Sequence, residues 1–404
     1  MTRAATARTV SPAASAPWST LVPAEQIGFG VYVHIPFCRH KCDYCAFATF
    51  TDRAHLVERY LAALRVEIER AAASPAAAAS PAAAASPAAA ASPGAHTPLP
   101  AASTIFVGGG TPSLVDPQAL VAVLDAIPRR DDAEFTIECN PDDVTVEMLR
   151  TFRSIGVNRI SLGMQSAREH VLLSLGRTHT PTNVQRAVDA IAASGIDNFN
   201  VDVIYGGAGE SLADWSATID SVIALGAPHV SAYGLTVENG TVLADQPERH
   251  PDDDDQADKY DLADDAFAAS GRLNYEISNW ALPGRECRHN AVYWSGGDYA
   301  GFGSAAHAHR NGRRSWNVRT PDRYIELVES GASAESSHES LDARTRTLER
   351  LQLQLRTRDG VPHDALSDDD RSELSELVQP RGDRLVLTRA GRLLANEVSL
   401  RLRA

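Results

Sequence analysis

The stretch His34-Ile-Pro-Phe-Cys38-Arg-His-Lys-Cys42-Asp-Tyr-Cys45 gathers three cysteines on one short segment. It follows a β-rich run, Val31-Tyr-Val-His-Ile35, so we expect the cysteines on a loop after a strand. Thiolates are soft ligands that select zinc or iron–sulfur clusters. Structural zinc usually takes four protein ligands, whereas three thiolates suit a [4Fe–4S] cluster with one iron left open. The spacing therefore predicts a cluster on Cys38, Cys42 and Cys45, with structural zinc as the alternative.

Strand and helix patterns alternate along the rest of the chain. Further strand patterns lie at 104–107, 134–138, 159–162, 198–205 and 229–233, and helical patterns lie near 53–70, 117–127, 145–155, 183–194 and 212–225. Such alternation indicates a parallel sheet with right-handed crossovers. We predict an α/β fold, a partial (β/α)6 TIM-like barrel followed by a smaller, mainly helical domain. Chemistry in such a barrel gathers in the loops after the strands, which is where the motifs lie.

Changes of composition suggest the domain boundaries. Residues 1–27 are rich in Ala, Ser, Thr and Pro, and we expect a disordered tail there. A repeat of Ser-Pro followed by four alanines interrupts any helix with proline, so 71–102 is expected to be a disordered insertion. The barrel domain is predicted to span 28–310. A C-terminal domain is predicted over 311–404, where Arg-rich helical patterns begin.

Charge and cysteine content exclude several function classes. The chain has 404 residues, of which 52 are acidic and 38 basic, for a net charge of −14. Nucleic acids and anionic membranes attract basic surfaces, so we expect no nucleic-acid partner. No run of about 18 apolar residues is present, which argues against a transmembrane segment. Five cysteines without a secretory signal pattern favour reduced thiols and a cytoplasmic location.

A glycine-rich turn supports the cluster interpretation. Gly108-Gly-Gly-Thr-Pro112 follows the second predicted strand, and glycines there let the backbone approach a ligand closely. Cys-x3-Cys-x2-Cys after a strand, with Tyr44 before the third cysteine, resembles the signature of the radical S-adenosylmethionine (SAM) superfamily. The resemblance implies a radical SAM barrel, SAM bound at the open iron, and an electron donor that reduces the cluster.

Several ordered blocks resemble one family more closely. His34-Ile-Pro-Phe-Cys38, Gly108–Pro112, Glu138-Cys-Asn-Pro141, Gly163-Met-Gln-Ser166 and Val201-Asp-Val-Ile-Tyr-Gly206 are similar to the oxygen-independent coproporphyrinogen III oxidase family. Arg177 is then expected to face the SAM carboxylate, because a bidentate arginine–carboxylate pair is a strong contact. Glu138 is expected near the ribose or the amino group of SAM. The full set of SAM contacts that the resemblance implies is Tyr32, Tyr44, Gly109, Gly110, Thr111, Glu138, Gln165, Arg177 and Asp202.

Two departures from the oxidase pattern favour another branch. The oxidases have a further cysteine two positions after the third ligand, and Phe47 stands there in this chain. The block Cys287-Arg-His-Asn-Ala-Val-Tyr-Trp294 resembles the HemW-type heme chaperone branch. That branch implies heme as a ligand and a heme-acceptor protein, such as a respiratory enzyme, as a partner. His289 is the first candidate for a heme ligand and Cys287 the second, while a hydrogen-bonded structural histidine is the alternative for His289.

Three functions therefore compete. We predict a heme chaperone that carries a [4Fe–4S] cluster with exchangeable SAM. The first alternative is the radical SAM oxidative decarboxylation of coproporphyrinogen III to protoporphyrinogen IX. Another radical SAM activity, such as tRNA modification, is disfavoured by the acidic charge.

Overall fold

The computed structural model describes residues 28–73 and 98–402. The predicted tail over 1–27 and residues 74–97 of the predicted insertion lie outside the described residues. The edges of that insertion prediction differ from the structure. Helix α1, Val57–Ala72, includes residues 71 and 72, and the next strand begins at Ala102.

Six parallel strands form the centre of the molecule. They are β1 Gly30–Ile35, β2 Ala102–Gly109, β3 Arg129–Cys139, β4 Arg159–Gln165, β5 Asn198–Tyr205 and β6 His229–Gly234. Each strand pairs in parallel with the next one along the chain. Their Val- and Ile-rich interiors are buried because helices cover the sheet, as is usual for parallel sheets. The six predicted strands are confirmed.

Helices connect these strands. After α1 come α2 Pro117–Leu124, α3 Val146–Arg153, α4 Glu169–Ser174, α5 Pro181–Ser194, α6 Leu212–Ala224 and α7 Asp253–Ala269. Short polar side chains cap five of the helix starts, each accepting a hydrogen bond from a backbone N–H of the first turn; these are Asp116, Thr145, Thr180, Ser211 and Asp252.

Further strands extend the sheet at both edges. The additional elements are β7 Leu273–Glu276, β8 Asn279–Ala281, α8 Arg288–Trp294, β9 Tyr299–Phe302, β10 His307–Arg310, β11 Arg313–Asn317, α9 Pro321–Glu329 and β12 Glu335–Ser340. Beside β1 lies β9, which is parallel to β1, and the ladders beyond β9 and beyond β6 are antiparallel. The strand order is β12-β11-β10-β9-β1-β2-β3-β4-β5-β6-β8-β7. Within the described residues no ladder joins β6 to β1, so the six parallel strands form a partial barrel, as predicted.

The C-terminal part has its own small core. It contains α10 Ala343–Leu355, β13 Val361–Pro362, α11 Asp368–Glu373, β14 Val378–Arg381, β15 Arg384–Leu387, α12 Arg389–Leu393 and α13 Ala395–Arg401. Its buried side chains run from Leu355 to Leu402 and form a cluster separate from the main core. The expected boundary at residue 310 falls inside the β10–β11 hairpin, because β11 and β12 continue the main sheet. In the part of the chain that the structure describes, no helix is both long and apolar enough to cross a membrane.

A buried ion pair fixes the loop after β5. Lys259 Nζ lies 2.6 Å from Asp255 Oδ2 and 3.4 Å from Glu210 Oε2, and the side chains of Lys259 and Glu210 are fully buried. Glu210 Oε2 in turn accepts a hydrogen bond of 2.7 Å from Gly206 N, where β5 has just ended. Helix α7 is thereby joined to the end of the barrel where the sequence motifs lie.

We predict that Lys259→Met lowers the free energy of unfolding by about 3 kcal/mol, because it leaves a buried carboxylate without its cation. The matched control is Arg401→Ala, which removes an exposed pair with Glu397 at the same four-residue spacing. An exposed pair of this kind contributes about 0.5 kcal/mol or less. Urea denaturation of both variants measures the difference, and equal losses would contradict the role of the buried pair.

Candidate cofactor-binding site

The three cysteines lie on a loop at the C-terminal end of β1. This loop, residues 36–47, is called the cluster loop below. Cys38, Cys42 and Cys45 are all partly exposed and line a cavity of about 680 Å³, called the cofactor cavity. The cavity opens at the end of the barrel where the parallel strands finish, which is where chemistry is expected in this architecture.

Residues 108–113, the glycine loop, lie directly against the cluster loop. Gly110 N donates a hydrogen bond of 2.8 Å to Ile35 O, and Thr111 N donates one of 2.8 Å to Phe37 O. A Cβ atom on Gly110 would lie 2.6 Å from Phe37 O, which no side chain tolerates. Glycine is therefore required for this close approach, which brings Thr111 beside the first cysteine.

Two side chains donate to the cysteine sulfurs. Thr111 Oγ1 lies 3.6 Å from Cys38 Sγ, and Arg177 Nη1 lies 3.6 Å from Cys42 Sγ. Arg177 Nη2 also donates 3.0 Å to Gly163 O, which holds the guanidinium in the cavity wall. Structural zinc usually takes four protein ligands, whereas three thiolates on one loop are the donor set that suits a [4Fe–4S] cluster with one open iron.

Carboxylates also line the cofactor cavity. Glu138 Oε2 accepts a hydrogen bond of 3.0 Å from Gly109 N, and its side chain is partly buried. Burial, followed by the charge of Asp202, raises the pKa of Glu138 to about 7. Asp202 accepts hydrogen bonds from Ser161 Oγ at 2.9 Å and from Asn200 Nδ2 at 2.8 Å. The wall thus offers acidic groups to a cationic ligand.

Gln165 has an unusual backbone conformation at the end of β4. Its φ is +63°, in the left-handed region that few residues other than glycine adopt, and the β4–β5 register shifts at the same place. The irregular backbone places its side chain in the wall of the cofactor cavity. Conformations of this kind cluster at functional sites.

Most of the residues expected from the sequence line this one cavity. They are Cys38, Cys42, Tyr44, Cys45, Gly109, Gly110, Thr111, Glu138, Gln165, Arg177 and Asp202. Tyr32 does not line it. Its hydroxyl lies 3.0 Å from His34 Nδ1, and His34 Nε2 lies 3.0 Å from Ala48 O, so Tyr32 contacts the segment after the cluster loop through His34.

The two candidate heme ligands lie elsewhere, inside the barrel. His289 is 1% exposed, with Nδ1 2.9 Å from Thr104 Oγ1 and Nε2 2.8 Å from Tyr293 Oη. Both ring nitrogens therefore have hydrogen-bond partners, which is the arrangement expected for a structural histidine. Burial lowers the pKa of His289 to about 3, so the ring is neutral.

Cys287 and the start of α8 are held by one buried carboxylate. Glu134 Oε1 accepts from His289 N at 3.0 Å and from Cys287 Sγ at 3.5 Å, and Glu134 Oε2 accepts from Arg288 N at 3.0 Å. Burial raises the pKa of the Cys287 thiol to about 12, so it is protonated. In this conformation the cysteine anchors the helix to β3.

Sequence reasoning missed the contact that holds the middle of the cluster loop. Asp43 lies between the second and the third cysteine in the sequence. Its Oδ2 is 2.9 Å from Arg249 Nη2, and Arg249 also donates a hydrogen bond to Ser174 O. Leu243 N donates 3.0 Å to Asp43 O. Asp43 and Arg249 are 206 residues apart, and Arg249 ends a short 3-10 turn that has no sequence signature.

Comparison with known proteins supports these features. Residues 95–222 match the radical SAM superfamily. Over 397 residues the chain is 39% identical to the heme chaperone HemW of Mycobacterium tuberculosis, with 94% of this chain and 95% of the relative covered. The heme chaperone HemW of Bacillus subtilis is 33% identical, with 91% and 97% covered.

The chain belongs to the HemW family of radical SAM proteins. The coproporphyrinogen III oxidase HemN of Escherichia coli has the same fold, with a TM-score of 0.75, 20% identity, and 93% of this chain and 92% of the other covered. The radical SAM fold, the oxidase-like family and the HemW branch predicted from the motifs are confirmed.

We predict that Arg249→Ala lowers the iron content of the anaerobically reconstituted protein, because the cluster loop loses its anchor at Asp43. Arg249→Lys keeps the charge and should restore part of the loss. Arg285→Ala removes an arginine–aspartate pair of the same 2.9 Å length, with Asp197, that is more exposed than the Arg249–Asp43 pair, and it serves as the control. Iron and sulfide analysis with the absorbance of the cluster measures the effect, and full cluster content in Arg249→Ala would show that the loop needs no such anchor.

Proposed function

We propose that this protein is a heme chaperone, which binds heme and transfers it to an acceptor protein while carrying a [4Fe–4S] cluster with exchangeable SAM. The observation that carries the proposal is one cavity lined by three thiolates and a glycine loop, in a chain 39% identical to a heme chaperone. The acceptor is proposed to be a respiratory enzyme, and the location cytoplasmic.

Different residues of the cofactor cavity would bind the cluster and the separate groups of SAM. Cys38, Cys42 and Cys45 would hold the cluster, which would accept an electron from a donor protein and, once reduced, would supply that electron to SAM. Arg177 would face the SAM carboxylate, since its guanidinium already lies in the wall beside Cys42. The glycine loop brings backbone groups close to the methionyl end of SAM, and Glu138 and Asp202 offer acceptors for its amino and hydroxyl groups.

Phe47 favours the chaperone over the oxidase. It occupies the position at which the oxidases have a further cysteine, and its side chain is 68% exposed at the cofactor cavity. A phenyl ring supplies neither a thiolate nor a proton donor there. This chain therefore lacks a cysteine that is part of the oxidase pattern.

Heme ligation by His289 or Cys287 stays a prediction. For His289 to bind iron, its ring would have to give up the hydroxyl of Thr104 or of Tyr293. For Cys287 to bind iron, a thiol held protonated by burial would have to lose its proton.

The function is tested on the anaerobically reconstituted protein. We expect heme titration to give a saturable absorbance change with stoichiometric binding, and no turnover of coproporphyrinogen III in the presence of SAM and a reductant. Cys38→Ala should abolish the absorbance of the cluster. Turnover without a heme spectrum would reject the chaperone, and an intact cluster in Cys38→Ala would reject the ligand set.

We predict that SAM binds more tightly as pH rises from about 6 to about 8, because Glu138 with a pKa of about 7 becomes ionised and then attracts the SAM ammonium. Calorimetry of the cluster-loaded protein should show an increase of about fivefold. The control is Glu138→Gln. Any pH dependence that comes from the titration of SAM itself remains in this variant, whereas the increase in affinity caused by ionisation of Glu138 is lost. The same pH dependence in both proteins would show that Glu138 does not contact the ammonium.

A further inference from the structure

A second cavity of about 640 Å³ lies between the barrel and the small C-terminal core. We call it the interdomain cavity. Its walls come from the end of β6, the β7–β8 turn, one face of α8, the end of α10, and α12 with the start of α13. Tyr233 lines both this cavity and the cofactor cavity, so the two are neighbours.

Aromatic and aliphatic side chains form much of the wall. Tyr233, Tyr293 and Trp294 line it, together with Leu353 and Leu393. Tyr233 and Leu393 are 42% and 40% exposed, which is high for large apolar side chains. A flat apolar ligand would cover these surfaces and gain the stabilisation of aromatic contacts.

Two arginines and one carboxyl group line the same cavity, and they differ in their partners. Arg392 lies 2.6 Å from Asp264 Oδ2, so its charge is compensated. Glu276 is buried, and burial raises its pKa to about 7, which reduces its negative charge near neutral pH. The remaining cation is Arg356.

Arg356 pairs with a neutral group. Its Nη2 donates 3.0 Å to Asn396 Oδ1, and within the described residues no carboxylate forms an ion pair with it. The guanidinium is partly buried, and this burial lowers its pKa. A partly buried cation of this kind favours an anionic ligand, and a carboxylate can accept two parallel hydrogen bonds from it.

We propose that the interdomain cavity is the heme-binding site of this protein, with the porphyrin plane against Tyr233, Trp294 and the leucines, and a propionate carboxylate on Arg356. This proposal rests on the proposed function as a heme chaperone. The volume lies within the range of about 300–1,000 Å³ that is common for sites of small molecules and cofactors. Heme combines a flat apolar ring with two carboxylates at one edge, which matches the distribution of apolar walls and charge.

The proposal separates ring binding from iron ligation. Tyr293 lines the cavity, and its hydroxyl is bonded to His289 Nε2, so Tyr293 lies between the cavity and that histidine. The contacts to the ring and the propionate do not involve the iron. Protoporphyrin IX without iron should therefore bind in the same place as heme.

The test titrates heme and metal-free protoporphyrin IX into the full chain and follows absorbance and tryptophan fluorescence. We expect the wild-type protein to bind both ligands, and Arg356→Ala to weaken both by about tenfold through the loss of a charge-assisted hydrogen bond. Arg356→Lys should restore part of the affinity. Arg350→Ala removes an exposed arginine from the same helix and is expected to change neither. Asn396→Ala removes the same hydrogen bond but leaves the positive charge of Arg356 in place. This variant therefore separates the structural effect of losing the hydrogen bond from the effect of losing the cation.

The outcomes distinguish this site from the function itself. Unchanged affinity for both ligands in Arg356→Ala, or binding of heme without binding of protoporphyrin IX, would overturn the site and leave the chaperone function standing. Equal weakening in Asn396→Ala and Arg356→Ala would also overturn it, because charge would then be irrelevant. A wild-type protein that binds neither ligand would reject the proposed function.

Discussion

The close backbone contact between the glycine loop and the cluster loop is the constraint on which the cofactor site depends. Gly110 lies so near Phe37 O that a Cβ atom has no room, and two backbone hydrogen bonds hold the glycine loop to the end of β1 and the start of the cluster loop. This contact fixes the start of the loop that bears the cysteines and places Thr111 beside Cys38. Arg177 contacts Cys42 and Arg249 contacts Asp43, so three separate parts of the chain hold the loop that bears the sulfurs.

A hydrogen-bonded polar core runs through the barrel below that site. Asp202, in the wall of the cofactor cavity, accepts from Asn200, whose amide oxygen lies 2.7 Å from His229 Nδ1. His229 Nε2 lies 2.8 Å from Tyr275 Oη, which in turn accepts from Cys287 N at 3.3 Å. Buried polar groups that are satisfied in this way specify a unique arrangement. The start of α8, and with it the surface of the interdomain cavity, is thereby placed relative to the cofactor cavity.

Much of the fold and of the site could be predicted from sequence because both depend on local patterns. Buried parallel strands are recognised in the sequence as short runs rich in Val and Ile, and the motifs follow the ends of these strands. Most residues of the cofactor cavity that the motifs contain could therefore be predicted. Phe47, which stands where the oxidases have a cysteine, likewise distinguished the HemW branch from the oxidases by residue type alone. Pairings between distant irregular segments, such as Asp43 with Arg249, leave no such pattern.

The sequence by itself determined the barrel and the family and predicted three cysteines as cluster ligands, since spacing on one loop and alternation of strand and helix are properties of the linear chain. Only the tertiary structure decided the surroundings of each group. Whether a histidine is free or hydrogen-bonded depends on what packs around it, and His289 is enclosed by Thr104, Phe106 and Tyr293. The interdomain cavity likewise exists only where α8, α10 and α13 meet, because the side chains that line it are brought together by packing and not by sequence.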